Sequence, residues 1–386
     1  MIELYSAQQA KQLDITSQQE YSIPEEVLME DASFASYNLI KEDIQKAKHV
    51  LFVAGGGNNG GDALALARLA YLDNNCNITI MLAQGQTETN LRKKQREICQ
   101  KLNIPTINMD DQFPESDLII DGLFGIGLKD APRSKYQLLI DAINQSNAKV
   151  IALDVPSGLG DEVPYGISVK ADTTICMGVS KKALYLPQNR DYAGKIVSTF
   201  PFFPKQAKPE TNSFLLTTND ESNLSFKNSD YKKTRGSIAI IGGSGRYTGA
   251  VILAAKAAFH AGVGLVTIFT EQHLITTISK SVPSAMVTTY EQIQDLSKFD
   301  AVLCGPGMGN SHDDILKTVL ENASYVVLDA DGIRALARNN FKAPETCKLI
   351  MTPHLGEYSA LVASFAQDSD QTTPQNWLDT LVKVKE

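Results

Sequence analysis

HVLFVAGGGNNGGDALALARLAYL, residues 49–72, decides the fold. Its opening HVLFVAG is a continuous apolar run of strand length, and from Asn59 to Leu72 alanine and leucine recur near a 3.6-residue period. Between them lies AGGGNNGGD, Ala54–Asp62. Glycines there permit positive φ and let the backbone approach a ligand, while free amides and the helix dipole favour an anion such as a pyrophosphate. GGGNNG, read from Gly55, has glycine at the first, third and sixth places of the dinucleotide fingerprint, but two asparagines and a following Gly61-Asp62 depart from it. A tight strand–helix turn with no ligand fits the same letters.

Outward from this turn, further apolar runs recur at ITIMLA (78–83), DLIIDG (117–122) and KVIALDVP (149–156). Continuous rather than alternating hydrophobicity implies strands covered on both faces, the mark of a parallel sheet. Leu91–Leu102 reads as a charged, solvated helix, and Ser6 to about Lys41 as two helices broken at Ile23-Pro24. From Pro201 to about Tyr231 the chain turns rich in Pro, Asn, Ser and Thr, a linker texture. Strand-like runs then resume at GSIAIIGG (236–243), GLVTIFT (264–270), DAVLCGPG (300–307), YVVLDADG (325–332) and KLIMTPH (348–354). Ala250–Phe269 is apolar enough to raise a membrane span, yet Lys256, His260, Gly262 and Gly264 interrupt it, and it reads as a buried helix running into a strand. The expected fold class is α/β: a Rossmann-like, doubly wound, mostly parallel sheet followed by a second α/β domain.

Composition narrows the function. The 386 residues are 43% hydrophobic and 21% charged, ordinary globular values that exclude disorder and small disulfide scaffolds. A net charge of −8 without any lysine–arginine block argues against a nucleic-acid partner. The five cysteines form no Cys-x-x-Cys pair and no zinc spacing, so reduced buried thiols are expected. The start, MIELYSAQQAKQLD, shows no secretory pattern, and no membrane span is expected, so a cytoplasmic protein is.

Several strand ends of the first half carry polar groups: Asp121, Asp154 with Ser157, and Asp172 in ADTTICMG. Ligands of open α/β sheets sit beyond the carboxyl ends of strands, so these groups could converge on the 55–62 turn. Each alone could equally cap a helix or form a turn. Asn59, Asp121 and Ser157 offer oxygens without sulfur or imidazole, which suits a hard cation, monovalent or divalent. His49, just before a strand, reads as structural.

With YSAQQAKQLD, IPEEVLMEDA, GGGNNGGDALALARL, DGLFGIGL, DVPSGL and ADTTICMG, the segment from Tyr5 to about Phe203 resembles the NAD(P)H-hydrate epimerase domain of the YjeF amino-terminal type. That family interconverts the C6 epimers of hydrated NADH and NADPH, so the resemblance implies repair of a damaged cofactor. It implies that Asn58, Asn59, Gly60, Gly61 and Asp62 line the dinucleotide, and that Gly125, Ile126, Gly127, Leu128, Lys129, Asp130 and Ala131 form a second ligand loop. Asn59, Asp121 and Ser157 would hold the family's potassium ion (K+). Asp154 would face the hydrated ring, and a carboxylate in a dry pocket with a raised pKa suits proton transfer at the C6 hydroxyl. Gly122 stands where the family usually has alanine.

From about Lys232 the segments IIGGSGRYTGAVILAAKAAFHAGVGLV, CGPGMG, VVLDADGIRAL and MTPHLGE resemble the ADP-dependent NAD(P)H-hydrate dehydratase, a ribokinase-like fold. The resemblance implies substrate contacts from Ala250, Gly307, Gly309 and His354. It places ADP or ATP, with Mg2+, at a glycine-rich GTGD loop, but Gly356 is the last glycine here. YKKTRG at 231–236 stands in place of His-Lys-Gly-x-x-Gly, and Arg334 where DADALN has asparagine. The expected division is an epimerase domain at 1–208, a linker at 209–231 and an incomplete dehydratase-like domain at 232–386. The last is expected to be inactive in dehydration, either as a remnant or as part of a longer bifunctional chain, and to favour homo-oligomers through bared apolar surface. The rivals are a working bifunctional enzyme, a non-catalytic nucleotide-binding scaffold, and an ordinary Rossmann oxidoreductase. The oxidoreductase lacks an acid after a second strand to bind a ribose.

Overall fold

The continuous apolar runs pair side by side as parallel strands. The computed structural model describes residues 1–73, 76–83, 88–128, 130–133, 135–161, 166–199, 203–218 and 227–365, and divides into two units, Met1–Glu221 and Ser222–Glu386. In the first unit the elements run β1 (Ile2–Glu3), α1 (Ala7–Gln19), α2 (Glu25–Lys46), β2 (His49–Ala54), α3 (Asn58–Leu72), β3 (Asn77–Leu82), α4 (Asn90–Lys101) and β4 (Thr106–Asn108). They continue as β5 (Leu118–Gly122), α5 (Lys135–Gln145), β6 (Lys149–Leu153), β7 (Thr173–Cys176), α6 (Arg190–Ala193), β8 (Lys195–Ser198) and β9 (Phe214–Leu215).

Seven of these strands form one sheet in the order β4-β3-β2-β5-β6-β7-β8, every neighbouring pair parallel. The chain steps outward from β2 to β4, returns beside β2 with β5, and then steps the other way. This reversal is a topological switch point, where connections diverge and leave a crevice beyond the carboxyl ends. Val53 and Ala54 register with Asp121 and Gly122, so the glycine turn and Asp121 leave the sheet side by side. Both faces are covered: Phe52, Ile80 and Ile120 pack with Leu64 and Leu66 of α3, while Leu51, Val53 and Ile119 pack with Ile140 and Ile143 of α5.

The start of α1 follows from Ser6, whose hydroxyl accepts from the Gln9 amide at 3.2 Å while the Gln9 side chain accepts from the Ser6 amide at 2.8 Å. Helix α2 runs on to Lys46, past the expected Lys41. Helix α4 is not solvated all round: Leu91, Arg92, Gln95 and Cys99 are buried, because that face lies against α2 and α3 while its lysines face water. Within the stretch read as linker, β9 pairs antiparallel with β1. Strands β4 and β8 are also additions; TIN is too short, and KIVS too exposed, for either to show as an apolar run.

The second unit runs β10 (Ser237–Ile241), α7 (Thr248–His260), β11 (Leu265–Thr270), α8 (Ile275–Ser281), β12 (Met286–Thr289), β13 (Ala301–Cys304), α9 (Asp313–Asn322), β14 (Tyr325–Leu328), α10 (Asp331–Asn339), β15 (Lys348–Met351) and α11 (Leu355–Phe365). Its six strands, all parallel, lie in the order β12-β11-β10-β13-β14-β15, again with a switch point, here between β10 and β13. Ala250–Phe269 does become a helix and then a strand, but α7 buries only Val251 and Ala255, and Leu253 is 69% exposed. One i, i+4 stripe meets the sheet, so the expectation of a buried helix is corrected to a surface one. Residues 366–386 of the expected closing helix, and Lys129, lie outside the described residues. No helix among the described residues is long and apolar enough to cross a membrane, and all five cysteines are free thiols, with Cys76 half-buried and the others buried.

Candidate functional site

At the first switch point the glycine turn closes on itself. A Cβ on Gly60 would sit 2.1 Å from the Gly55 carbonyl oxygen, and one on Gly122 would sit 2.5 Å from Ala63 Cβ, so α3 passes too near for a side chain after Asp121. Asn58 begins α3 and Asn59 follows it, nearly buried. The Asn59 Nδ2 donates to the carbonyls of Phe124 at 2.9 Å and Leu153 at 3.2 Å. That single side chain joins the α3 start to the ends of β5 and β6. Its Oδ1 is buried with no hydrogen-bond partner.

Asp121 is fully buried, and burial pushes its carboxyl up although Ser157 and Leu123 hold it with hydrogen bonds. Its Oδ1 accepts from Ser157 Oγ at 2.6 Å and from the Leu123 amide at 3.1 Å, and its Oδ2 from the Ser157 amide at 2.8 Å. The Ser157 Oγ in turn accepts from the Phe124 amide at 2.8 Å. Asn59, Asp121 and Ser157 therefore share one network through Phe124. An orphaned amide oxygen beside a buried carboxylate, a hydroxyl and a carbonyl is a donor set of hard oxygens with one formal charge. It fits a monovalent cation better than a divalent one. No three histidine, cysteine or acidic side chains converge as a metal site among the described residues.

Asp154, just past β6, has φ +66°, left-handed for a residue with a side chain. Its carboxylate is 14% exposed, and its Oδ1 lies 2.5 Å from the buried Lys181 Nζ. A Cβ on Gly125 would lie 3.2 Å from Asn59 Cβ and 3.4 Å from Asp154 Oδ2, so the second loop passes between these two residues. A Cβ on Gly127 would meet nothing within 4 Å among the described residues, Leu128 donates back to the Gly125 carbonyl at 3.3 Å, and Ile126 packs against both the cluster that contains Leu13 of α1 and the one that contains Val155. Asp130 is exposed and pairs with Arg133, and Ala131 is half-buried.

Lys181 and Asp14 are functional candidates that sequence reasoning missed. Burial alone would depress the Lys181 ammonium, but Asp154, Cys176 and Asp14 outweigh it and hold it above its ordinary value. It also donates to the Met177 carbonyl. Asp14 is solvent-accessible yet crowded by protein, which pushes its carboxyl up to about 6, with Lys181 opposing and Asp154 and Glu25 adding to the rise. Asp62, half-buried, is likewise raised by crowding and then by Asp154 and Asp14. The two carboxyls held high beside Asp154 are thus Asp62 and Asp14, whereas Asp154 is the acid in the ion pair. The available signal was YSAQQAKQLD, whose last residue is Asp14.

Asp172 does not join them. ADTTICMG places it before β7 rather than after, and its Oδ2 accepts the Val150 amide at 2.7 Å, joining β6 and β7 at the opposite end of the sheet. His49 is structural, its ring nitrogens bonded to the Glu115 carbonyl and the Thr79 hydroxyl. Arg92 was also unforeseen: buried, it donates from Nε to the Gly55 carbonyl at 3.0 Å and pairs with Glu88, bracing the glycine turn from α4.

In the second unit, Gly307 lies against Ala250 and Tyr247, and the Gly309 amide donates to Asp331 Oδ2 at 2.8 Å, so Ala250, Gly307 and Gly309 gather at the carboxyl ends of β10 and β13. His354 follows β15 on the same edge. Its Nδ1 accepts the Gly356 amide at 3.0 Å, which makes Nε2 the donor to the buried Glu357 at 3.0 Å. Arg334, the departure from asparagine, lies 3.9 Å from the same carboxylate.

Two α/β units, each built on a parallel sheet with a switch point, define the class, and comparison with known proteins defines the family. The model for YjeF-related protein N-terminus matches residues 25–183, and that for NAD(P)H-hydrate dehydratase matches residues 238–384. The bifunctional NAD(P)H-hydrate repair enzyme Nnr of Coxiella burnetii is 31% identical over 94% of this chain and 76% of its own length. That of Dictyoglomus turgidum is 30% identical over 94% of this chain and 76% of its own. Among solved structures, the ADP/ATP-dependent NAD(P)H-hydrate dehydratase of Bacillus subtilis, co-crystallized with ATP/Mg2+, is 26% identical over 40% of this chain and 54% of that one, with a TM-score of 0.33. The chain belongs to the bifunctional NAD(P)H-hydrate repair enzyme family.

Proposed function

We propose that the first unit interconverts the two C6 epimers of hydrated NADH and NADPH. The observation that supports this reading is the approach of Gly125 to both Asn59 and Asp154 at the switch point, beside the glycine turn. In this reading Asn58–Asp62 and the Gly125–Ala131 loop line the dinucleotide, and the α3 amino terminus receives its pyrophosphate. Asp154 faces the hydrated ring and exchanges a proton at the C6 oxygen. Asn59, Asp121, Ser157 and the Phe124 carbonyl would hold K+. When bound it would supply a fixed positive charge beside Asp121.

The test uses a single isolated epimer of hydrated NADPH mixed with the purified protein and followed by chromatography. Appearance of the other epimer faster than without protein supports the reading; unchanged substrate overturns it. An oxidoreductase would change the reduced-cofactor absorbance only with a second substrate, and a scaffold would do neither.

For the second unit, Ala250, Gly307, Gly309 and His354 are proposed to contact the hydrated dinucleotide. ADP or ATP with Mg2+ would serve dehydration. The 386 residues contain no GTGD segment, so the polypeptide made of these residues is proposed to epimerise without dehydrating. Adding ADP and Mg2+ to the same assay and watching NADPH absorbance tests this.

A further inference from the structure

Epimerisation at C6 moves a hydroxyl from one face of a ring to the other. A proton has to be handled on both faces, and one carboxylate reaches one of them. Resting on the epimerase reading, we propose that Asp14 is the second proton-transferring residue and Lys181 the positioning residue that links it to Asp154.

The geometry begins with α1. The Tyr5 amide donates to the Ser180 carbonyl at 2.8 Å and the Lys182 amide to the Tyr5 carbonyl at 2.8 Å, so the residue before the α1 cap is bridged to Lys181 itself. Helix α1 is then pressed down by Ala10 and Leu13, which pack with Val179 and Ile126. Asp14 lies one turn beyond Ala10 and next to Leu13, at the margin of that packed face and within electrostatic reach of Lys181. Lys181 is buried beneath, with its ammonium on Asp154. The charged groups facing Asp14 are Lys181, Asp154, Glu25 of α2 and Asp62 of α3.

The chemistry balances without a redox partner. The C6 hydroxyl sits on a carbon bonded to N1. The N1 lone pair forms the N1=C6 bond as the C6–O bond breaks, and the departing oxygen keeps that electron pair and takes the Asp14 proton, leaving as water. A water on the other face forms the new C6–O bond as the N1=C6 electrons return to N1, and Asp154 accepts the proton it sheds. The two acids exchange roles for the opposite epimer. Asp14, held up to about 6, is partly protonated near neutrality as such a donor needs to be.

The experiment measures epimerisation of single isolated epimers from pH 5 to 8 for wild type, Asp14→Asn, Asp14→Glu and Asp62→Asn, with binding of hydrated NADPH measured in parallel. Expected for Asp14→Asn is a loss of about 10²–10⁴ in kcat with KM little changed, disappearance of the inflection near pH 6, and partial recovery in Asp14→Glu. A wild-type rate and pH profile in Asp14→Asn, or transfer of the inflection's loss to Asp62→Asn, overturns the assignment while leaving the epimerase reading intact. No epimerisation by the wild type overturns both. Should Asp14→Asn fail to fold, Asp14→Glu decides: a displaced inflection supports the role, and an unmoved one overturns it.

Discussion

Asn59 donates from Nδ2 to the carbonyl of Leu153 at 3.2 Å, although 94 residues separate them in the chain. The bond fixes the amino terminus of α3 against the residue that precedes Asp154. It also turns Oδ1 inward, where it finds no hydrogen-bond partner among the described residues. A buried acceptor left unpaired costs on the order of 1–3 kcal/mol, which a cation would offset.

Replacing K+ by a large organic cation at constant ionic strength should therefore slow epimerisation on the order of 10–100-fold, and Asn59→Ala or Asp121→Asn should abolish the difference between the two salts. Initial rates in paired buffers check this. Equal rates in both salts for the wild type would remove the cation from the site.

Asp154→Asn keeps a residue that tolerates left-handed φ and is expected to retain the fold while lowering kcat by about 10²–10⁴. Because Lys181 loses its charged partner, the same variant should also lose stability, by about 1–3 kcal/mol given that Asp154 is partly solvated. Denaturant titration and steady-state kinetics on one preparation separate the two effects.

Gly60→Ala should cost about 1–3 kcal/mol or prevent folding, because its Cβ would meet the Gly55 carbonyl, which is backbone and cannot step aside. Gly127→Ala, with nothing within 4 Å, should stay within about 0.5 kcal/mol of wild type. The contrast between the two unfolding curves is the check.

Hydrogen bonding from Arg96 and Arg92 holds the Glu88 carboxyl down to about 2 from an ordinary 4.5. A depressed carboxylate contributes stability above its unfolded pKa and loses it as pH falls through the folded one, so the contribution is full above about 4.5 and gone below about 2. Glu88→Gln should flatten the stability of the first unit over that window and loosen the glycine turn that Arg92 braces. Chemical denaturation at pH 3 and pH 6 measures it.

For the second unit, the Gly356 amide occupies Nδ1 of His354, so the ring's donor is expected at Nε2, toward Glu357. Glu357→Gln should free the ring and weaken any binding of hydrated dinucleotide to that unit. Nitrogen chemical shifts of the imidazole report the tautomer directly, and a proton on Nδ1 would contradict it.

Much of this was legible along the chain. The run His49–Ala54, the glycine turn and the Asn58–Leu72 helix appear in the structure nearly residue for residue, because a continuous apolar run and a 3.6-residue period are local properties. Asp121, Asp154 and Ser157 were visible as polar residues at strand ends, and register brings them together. Asp172 looked the same and went the other way, since it precedes β7 and its carboxylate takes the Val150 amide.

What the letters could not carry is whatever depends on segments far apart. Lys181 is an unremarkable lysine until a parallel bridge sets it beside Tyr5 and burial puts its ammonium on Asp154. Asp14 is one acid on an amphipathic helix until that helix docks. Sequence alone determined the fold class, the family and the glycine turn, through periodicity and backbone freedom. Tertiary structure alone decided which charges share the crevice, because Coulomb and hydrogen-bond energies fall off with distance through space and are indifferent to separation along the chain.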